Sequence, residues 1–145
     1  MTWKDNILDD DEGIRRLLNE TKRIAVLGMR SELYSDRPAH FVPAYLVRAG
    51  LEVIPVPVYE PEVTTMLGQK VYRSLVEVPG KIDLVDMFRR SEHLNGHLED
   101  ILAARPTAVW TQLGIYDESF GVRLAEEGIK VVQDRCLMVE HRRLR

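Results

Sequence analysis

Short unbroken apolar runs alternate along this chain with longer stretches in which apolar residues recur every three or four positions. The first pattern suits a strand buried on both faces, the second a helix with one buried stripe. Strands are predicted over 24–27 (IAVL), 51–56 (LEVIPV), 82–88 (IDLVDMF), 107–113 (TAVWTQL) and 129–132 (IKVV). Between them lie the helical stripes. Ile14, Leu17 and Leu18 follow a cluster of acids at 9–12, which favours the positive end of a helix dipole. Phe41, Val42, Tyr45, Leu46 and Ala49 follow Pro38, which can open a helix because it lacks the N–H that a first turn leaves unpaired. Leu94, Leu98, Ile101 and Leu102 follow Ser91, and Phe120, Val122, Leu124 and Ala125 follow Asp117, a capping residue, up to Gly128. Pro55 and Pro57 suggest that the second strand ends early in an extended loop. A small segment over 67–72, a turn over 74–78 and a basic, partly helical tail from 139 complete the reading.

Alternation of this kind with short connections has one common solution. Parallel strands need crossovers, and the crossovers are right-handed, so helices cover both faces of the sheet. The expectation is an α/β fold: one Rossmann-like, doubly wound domain over 21–145 with a mainly parallel five-stranded sheet, and residues 1–20 as an N-terminal helix packed on it.

Composition changes this picture little. With 145 residues, 45% hydrophobic, 30% charged and a formal net charge of -3, the chain reads as an ordinary globular domain without bulk attraction to nucleic acid. The amino-terminal stretch lacks the apolar core of a secretory signal, and no apolar run nears the roughly 20 residues that span a bilayer. A cytoplasmic protein is expected, with no membrane or nucleic-acid partner. Cys136 is the single cysteine, which excludes an internal disulfide and a zinc site of several thiolates.

In an open parallel sheet, ligands collect outside the carboxyl ends of the strands. The first such loop reads GMRSELYSDRP over 28–38. Gly28 lets the backbone turn and approach a ligand, the helix opened by Pro38 offers a positive end to phosphate, and Arg37 and Arg30 add guanidinium forks. A plainer reading of the same loop, in which Gly28 ends a strand and the arginines are solvated, stands beside it. The glycine fingerprint of an NAD site is missing, and no acid closes the second strand, where Val56, Pro57 and Val58 precede Glu60.

Taken together, IAVLG at 24–28, Arg37-Pro38, LGQKVYRSL at 67–75, IDLVDMFRRSE at 82–92, AVWTQLGI at 108–115 and QDRCLMVEHRRL at 133–144 resemble the small stand-alone CoA-binding proteins. Those are similar to the nucleotide-binding domain at the start of the succinyl-CoA synthetase alpha subunit. The resemblance implies a domain that binds coenzyme A or an acyl-CoA without catalysis, as a sensor or carrier, with no metal. Carried over by position, Gly28, Met29, Arg30, Ser31, Arg37 and Pro38 would face phosphate; Val56, Pro57 and Tyr59 would line the nucleotide. Phe88, Arg89, Gln112, Leu113 and Gly114 would follow the pantetheine arm. The chain departs from the pattern after the second strand, where relatives commonly carry Val-Asn-Pro and this chain has Val56-Pro57-Val58-Tyr59. The alternatives are an NAD(P)-binding redox protein and an interaction module whose ligand site is lost. A homodimer or an unidentified protein partner is also compatible with the sequence.

Catalytic chemistry is not conspicuous. No counterpart of the synthetase's phosphohistidine domain is expected. His40 reads as a surface or half-buried residue, and His93 with His97 as a solvated helix face. Asp83 and Asp86, three apart on one strand, point to opposite faces, and Asp86 is expected to pair with Arg89 or Arg135. Cys136 beside Arg135 is expected to pack at a strand end, and Arg142, Arg143 and Arg145 to form a solvated basic end.

Overall fold

The structure is a computed structural model that describes residues 2–144. Along the chain it places α1 (Asp11–Glu20), β1 (Arg23–Leu27), α2 (Pro38–Arg48), β2 (Glu52–Val56), β3 (Thr65–Met66), β4 (Gln69–Lys70), β5 (Leu84–Met87), α3 (Leu98–Ala104), β6 (Ala108–Thr111), α4 (Glu118–Glu126), β7 (Lys130–Val132) and α5 (Leu137–Leu144). Five strands form one parallel sheet in the order β2-β1-β5-β6-β7. The expected α/β, Rossmann-like domain is what the chain adopts.

Side chains alternate across each strand and so divide between two cores. Ile24, Val26, Leu84, Trp110 and Val132 meet α1, α2 and α5 through Ile14, Leu17, Val42, Leu46 and Leu137. Ala25, Leu27, Val85, Met87 and Val109 meet α3 and α4 through Ile101, Phe120 and Leu124. The Asp10 carboxylate accepts from Gly13 N–H at 3.1 Å and caps α1, while Asp117 accepts from Phe120 N–H at 2.9 Å and caps α4. Each cap contributes about 1 kcal/mol.

Several local expectations change. β2 runs through Pro55 to Val56, the end of the predicted run, and the two prolines do not shorten it because it is the edge strand. Glu52 N–H and Val56 C=O bond toward β1, so alternation turns Pro55 outward, where its missing N–H breaks no ladder bond and its carbonyl accepts from Tyr72 N–H at 3.0 Å. The segment around 67–72 is part of a small antiparallel hairpin of β3 and β4. Ser91–His97 is a 3-10 helix, and α-helical geometry begins only at Leu98. Ahead of α1, Trp3–Asn6 forms a further 3-10 turn, and Ile7 bridges in parallel to Val131 on the far sheet edge. The tail is a regular helix that is not simply solvated: Arg143 pairs with Asp11 and Glu140, while Arg145 lies outside the described residues.

The strand order fixes where a ligand can sit. The chain leaves β1 for β2 on one side and returns to β5 on the other, so the crevice opens over the carboxyl ends of β1 and β5.

Candidate functional site

A cavity of about 760 Å³ occupies that crevice. Its walls come from the loop after β1 (Gly28, Arg30), the start of α2 (Arg37, Pro38, Ala39, Phe41, Val42) and Tyr59 after β2. The loops after β5 (Phe88, Arg89, Arg90, Ser91) and β6 (Gln112, Leu113, Gly114, Ile115) follow, with Cys136, Met138 and Val139 at α5. All four arginines of the lining follow β1 or β5 and none follows β6 or β7, whose segments give Leu113, Ile115, Met138 and Val139; Pro38, Phe41, Val42 and Phe88 add apolar surface on the arginine side. Among the described residues, no histidine, aspartate or glutamate borders the cavity.

Gly28 turns with φ +90 and gives its N–H to Val56 C=O at 2.8 Å. A Cβ here would run into the Phe88 carbonyl oxygen, so glycine is required where the ends of β1 and β5 come together. Arg30 does not stand free. Its Nε donates to Glu60 at 3.2 Å, its guanidinium stacks 3.8 Å from the centroid of the Tyr34 ring, and Tyr59 lies on its flank with a centroid distance of 5.3 Å. Glu60 also accepts from the N–H of Ser31 at 3.0 Å and from its hydroxyl. Burial pushes the Glu60 carboxyl up, but the hydrogen bonds from Ser31 and Arg30 outweigh it and hold the carboxyl below its ordinary value. Glu60, which lies beyond the end of β2, is thus a brace for the first loop.

Arg37 has a different standing. It precedes α2, lies 5.0 Å from the Tyr34 centroid and has no carboxylate partner among the described residues. The helix end contributes less than its sequence suggests, because the N–H groups of His40 and Phe41 already bond the Arg37 carbonyl, each at 2.9 Å. Arg89 likewise lacks a carboxylate partner. Its Nε donates to His97 Nε2 at 3.0 Å and its Nη1 to the Tyr59 hydroxyl at 3.3 Å. His97 is therefore half-buried and engaged, not part of a solvated face. Burial and the adjoining Arg89 charge both hold its imidazole below the usual pKa.

Asp86 overturns the expected ion pair. It is wholly buried, and its Oδ1 accepts from Gln112 Nε2 at 2.6 Å, with neither Arg89 nor Arg135 bound to it. Its Oδ2 has no partner. Burial raises the carboxyl to about 7, opposed only by the Gln112 amide. His40 is buried, not half-exposed, and its Nδ1 donates to Arg30 C=O at 3.2 Å. Trp110 donates through Nε1 to Arg135 C=O at 2.7 Å, which fixes the backbone just before Cys136.

Not every residue expected at the ligand borders this cavity. Met29 is fully buried in the core, and the Ser31 side chain is bound to Glu60. Val56 and Pro57 line a separate cavity of about 300 Å³ with Arg73, His97 and Asp100, because β2 places them over the α3 side of the sheet. The structure adds Ala39, Phe41, Val42, Arg90, Ser91, Ile115, Cys136, Met138 and Val139. Phe41 and Val42 were readable only as a helix stripe, Val139 only as tail, and Met138 only within the block over 133–144. The second Arg and the Ser of FRRS were the one available signal.

Comparison with known proteins gives a consistent picture. Residues 22–142 match the family described as the CoA binding domain. The Bacillus subtilis (strain 168) protein YneT is 39% identical over 128 residues, which cover 88% of this chain and 91% of YneT. A Thermus thermophilus structure, cell-free ID.343, is 42% identical with a TM-score of 0.86, covering 94% of this chain and all of that one. The dinucleotide-forming acetyl-coenzyme A synthetase 1 of Ca. Korarchaeum cryptofilum shares the fold, with a TM-score of 0.66 at 22% identity over 81% of this chain and 27% of its own.

Proposed function

This chain belongs to the CoA binding domain family, and we propose that it holds coenzyme A or an acyl-CoA in the cavity over the carboxyl ends of β1 and β5. The observation that carries the reading is the division of the lining. Every arginine of the lining, among them Arg37 and Arg89 with no carboxylate partner among the described residues, follows β1 or β5, while the β6 and β7 side gives Leu113, Ile115, Met138 and Val139 and no charge. A polyanionic head followed by a long uncharged arm has that same division. Arg37 and Arg89 would take phosphate oxygens through their planar forks, and Phe88, Gln112, Leu113 and Gly114 would flank the arm.

Binding without turnover fits the same lining, since the bordering polar groups are arginines, an amide, hydroxyls and one thiol, with no base beside the thiol. A sensor or carrier of CoA is the role this supports, and no helix among the described residues is long and apolar enough to cross a membrane. The NAD reading gains no acid from the structure either, because Glu60, the first acid beyond β2, is already bound by Ser31 and Arg30. Calorimetry with CoA, dephospho-CoA, acetyl-CoA and NAD decides the matter. CoA is expected to bind and NAD not to; a clear NAD isotherm with no heat from CoA overturns the reading.

A further inference from the structure

Gln112 borders the cavity and Asp86 lies directly beneath it, out of solvent. The Gln112 Nε2 is committed to Asp86 Oδ1, and no hydrogen bond among the described residues holds the Gln112 carbonyl oxygen. We propose that Asp86 is a positioning residue whose proton decides which end of the Gln112 amide faces the ligand. An ionised carboxylate can only accept, so it draws in the amide NH2 and leaves the carbonyl oxygen to the cavity. A protonated carboxyl donates its O–H to that carbonyl oxygen and leaves the NH2 to the cavity instead. The two ends of a glutamine amide have nearly the same shape, so the turn needs no repacking.

The surroundings make both states accessible. Asp86 stands in register between Val26 of β1 and Trp110 of β6, neither of them ionisable. α1 gives this layer Ile14, Leu17 and Leu18, α2 gives Val42, Tyr45 and Leu46, and α5 gives Leu137, Met138 and Leu144. The charged and titratable groups of these elements and the adjoining loops bond elsewhere: Asp11 and Glu140 to Arg143, Arg15 to the Leu144 carbonyl, Tyr45 to His141, His40 to the Arg30 carbonyl, Arg30 to Glu60, Arg89 to His97 and Tyr59, and Arg135 to the Asp9 carbonyl, so burial is what raises the Asp86 carboxyl, opposed by the Gln112 amide. The unpartnered Oδ2 leaves the ionised form with a single hydrogen bond for a wholly buried charge, which is why the carboxyl titrates at about 7.

The consequence for binding rests on the CoA reading above. Protonation removes a buried negative charge beneath a polyanion and turns an N–H donor toward the amide carbonyls of a pantetheine arm. Binding therefore favours the protonated form, and affinity falls as pH rises through 7.

The test uses the intact protein, with carbon-13 shifts of the Asp86 carboxyl and nitrogen-15 shifts of the Gln112 side chain followed from pH 5.5 to 8.5. Both are expected to titrate together near 7, and the Gln112 change to vanish in Asp86→Asn. Flat shifts in the unaltered protein overturn the proposal, and this arm needs no variant to fold. CoA calorimetry at pH 6 and pH 8 is expected to show binding tighter at the lower pH by about fivefold more than in Asp86→Asn, the factor one ordinary hydrogen bond supplies. Equal pH ratios in the two proteins overturn the link to the ligand. Titrating shifts with no CoA binding at any pH overturn the CoA reading and leave the amide switch standing.

Discussion

Glu60→Ala removes the brace of the first loop, and its cost follows from what the carboxylate holds. Three donors lose their acceptor: Arg30 Nε, Ser31 N–H and the Ser31 hydroxyl. The Glu60 side chain is 7% exposed and that of Arg30 17%, so water replaces the lost partner only in part. Three hydrogen bonds to one ionised carboxylate, at about 1.5 kcal/mol each and less what water restores at the Arg30 rim, leave a loss of about 3 kcal/mol. With a urea slope of roughly 2 kcal/mol per molar for a domain of this size, the unfolding midpoint falls by about 1.5 M. Because the folded pKa of Glu60 lies below its unfolded value, the stabilisation is complete above about pH 4.5 and is lost as pH falls through the folded pKa. The gap between the two proteins therefore narrows below pH 4.5. Urea titrations at pH 7, 5, 4 and 3, followed by circular dichroism, check both statements. A midpoint displaced by less than about 0.5 M at pH 7, or a gap that persists unchanged at pH 3, refutes the assignment of Glu60 as the brace.

Three further outcomes follow from single contacts. Arg37→Ala is expected to weaken CoA binding by about tenfold and to flatten its dependence on salt, since one unpartnered guanidinium is lost; unchanged calorimetric affinity removes Arg37 from the site. Gly28→Ala meets both the left-handed φ of +90 and the Phe88 carbonyl, so a loss of about 3 kcal/mol is expected in thermal unfolding, and a melting point equal to that of the unaltered protein contradicts the described turn. Trp110→Phe leaves the Arg135 carbonyl without its donor and is expected to cost about 1.5 kcal/mol in chemical denaturation, an estimate that a neutral result overturns.

What the sequence disclosed was the content of single segments. IAVLG, the Asp117 cap and the stripe of Ile14, Leu17 and Leu18 each carry their own local signal, and each formed the expected element. β3 and β4 escaped because two-residue strands have no period, and Ser91–His97 because apolar spacing alone does not separate a 3-10 turn from the first turn of an α-helix. The loops that meet at the cavity could be named in advance from the strand ends. Their internal pairings could not: Glu60 finds Arg30 across 30 residues, and Asp86 finds Gln112 across 26. Both pairings exist only once strand order and register have set β2 and β5 beside β1 and β6 beside β5. Arg89, three residues beyond Asp86 in sequence, was the nearer charge, and the register passed it over for an amide.

The two margins of the sheet bear on how copies of this chain can meet. Pro55 turns an imide nitrogen outward on one margin and has its carbonyl occupied by Tyr72, while on the other Ile7 lies along Val131 and Leu8 N–H takes the Val131 carbonyl at 2.8 Å. Each margin is thereby blunted as a template for a further strand. Self-association by continuing the sheet from one molecule into the next is disfavoured at both ends, so a symmetric pair of these domains would have to be built from helix faces and loops.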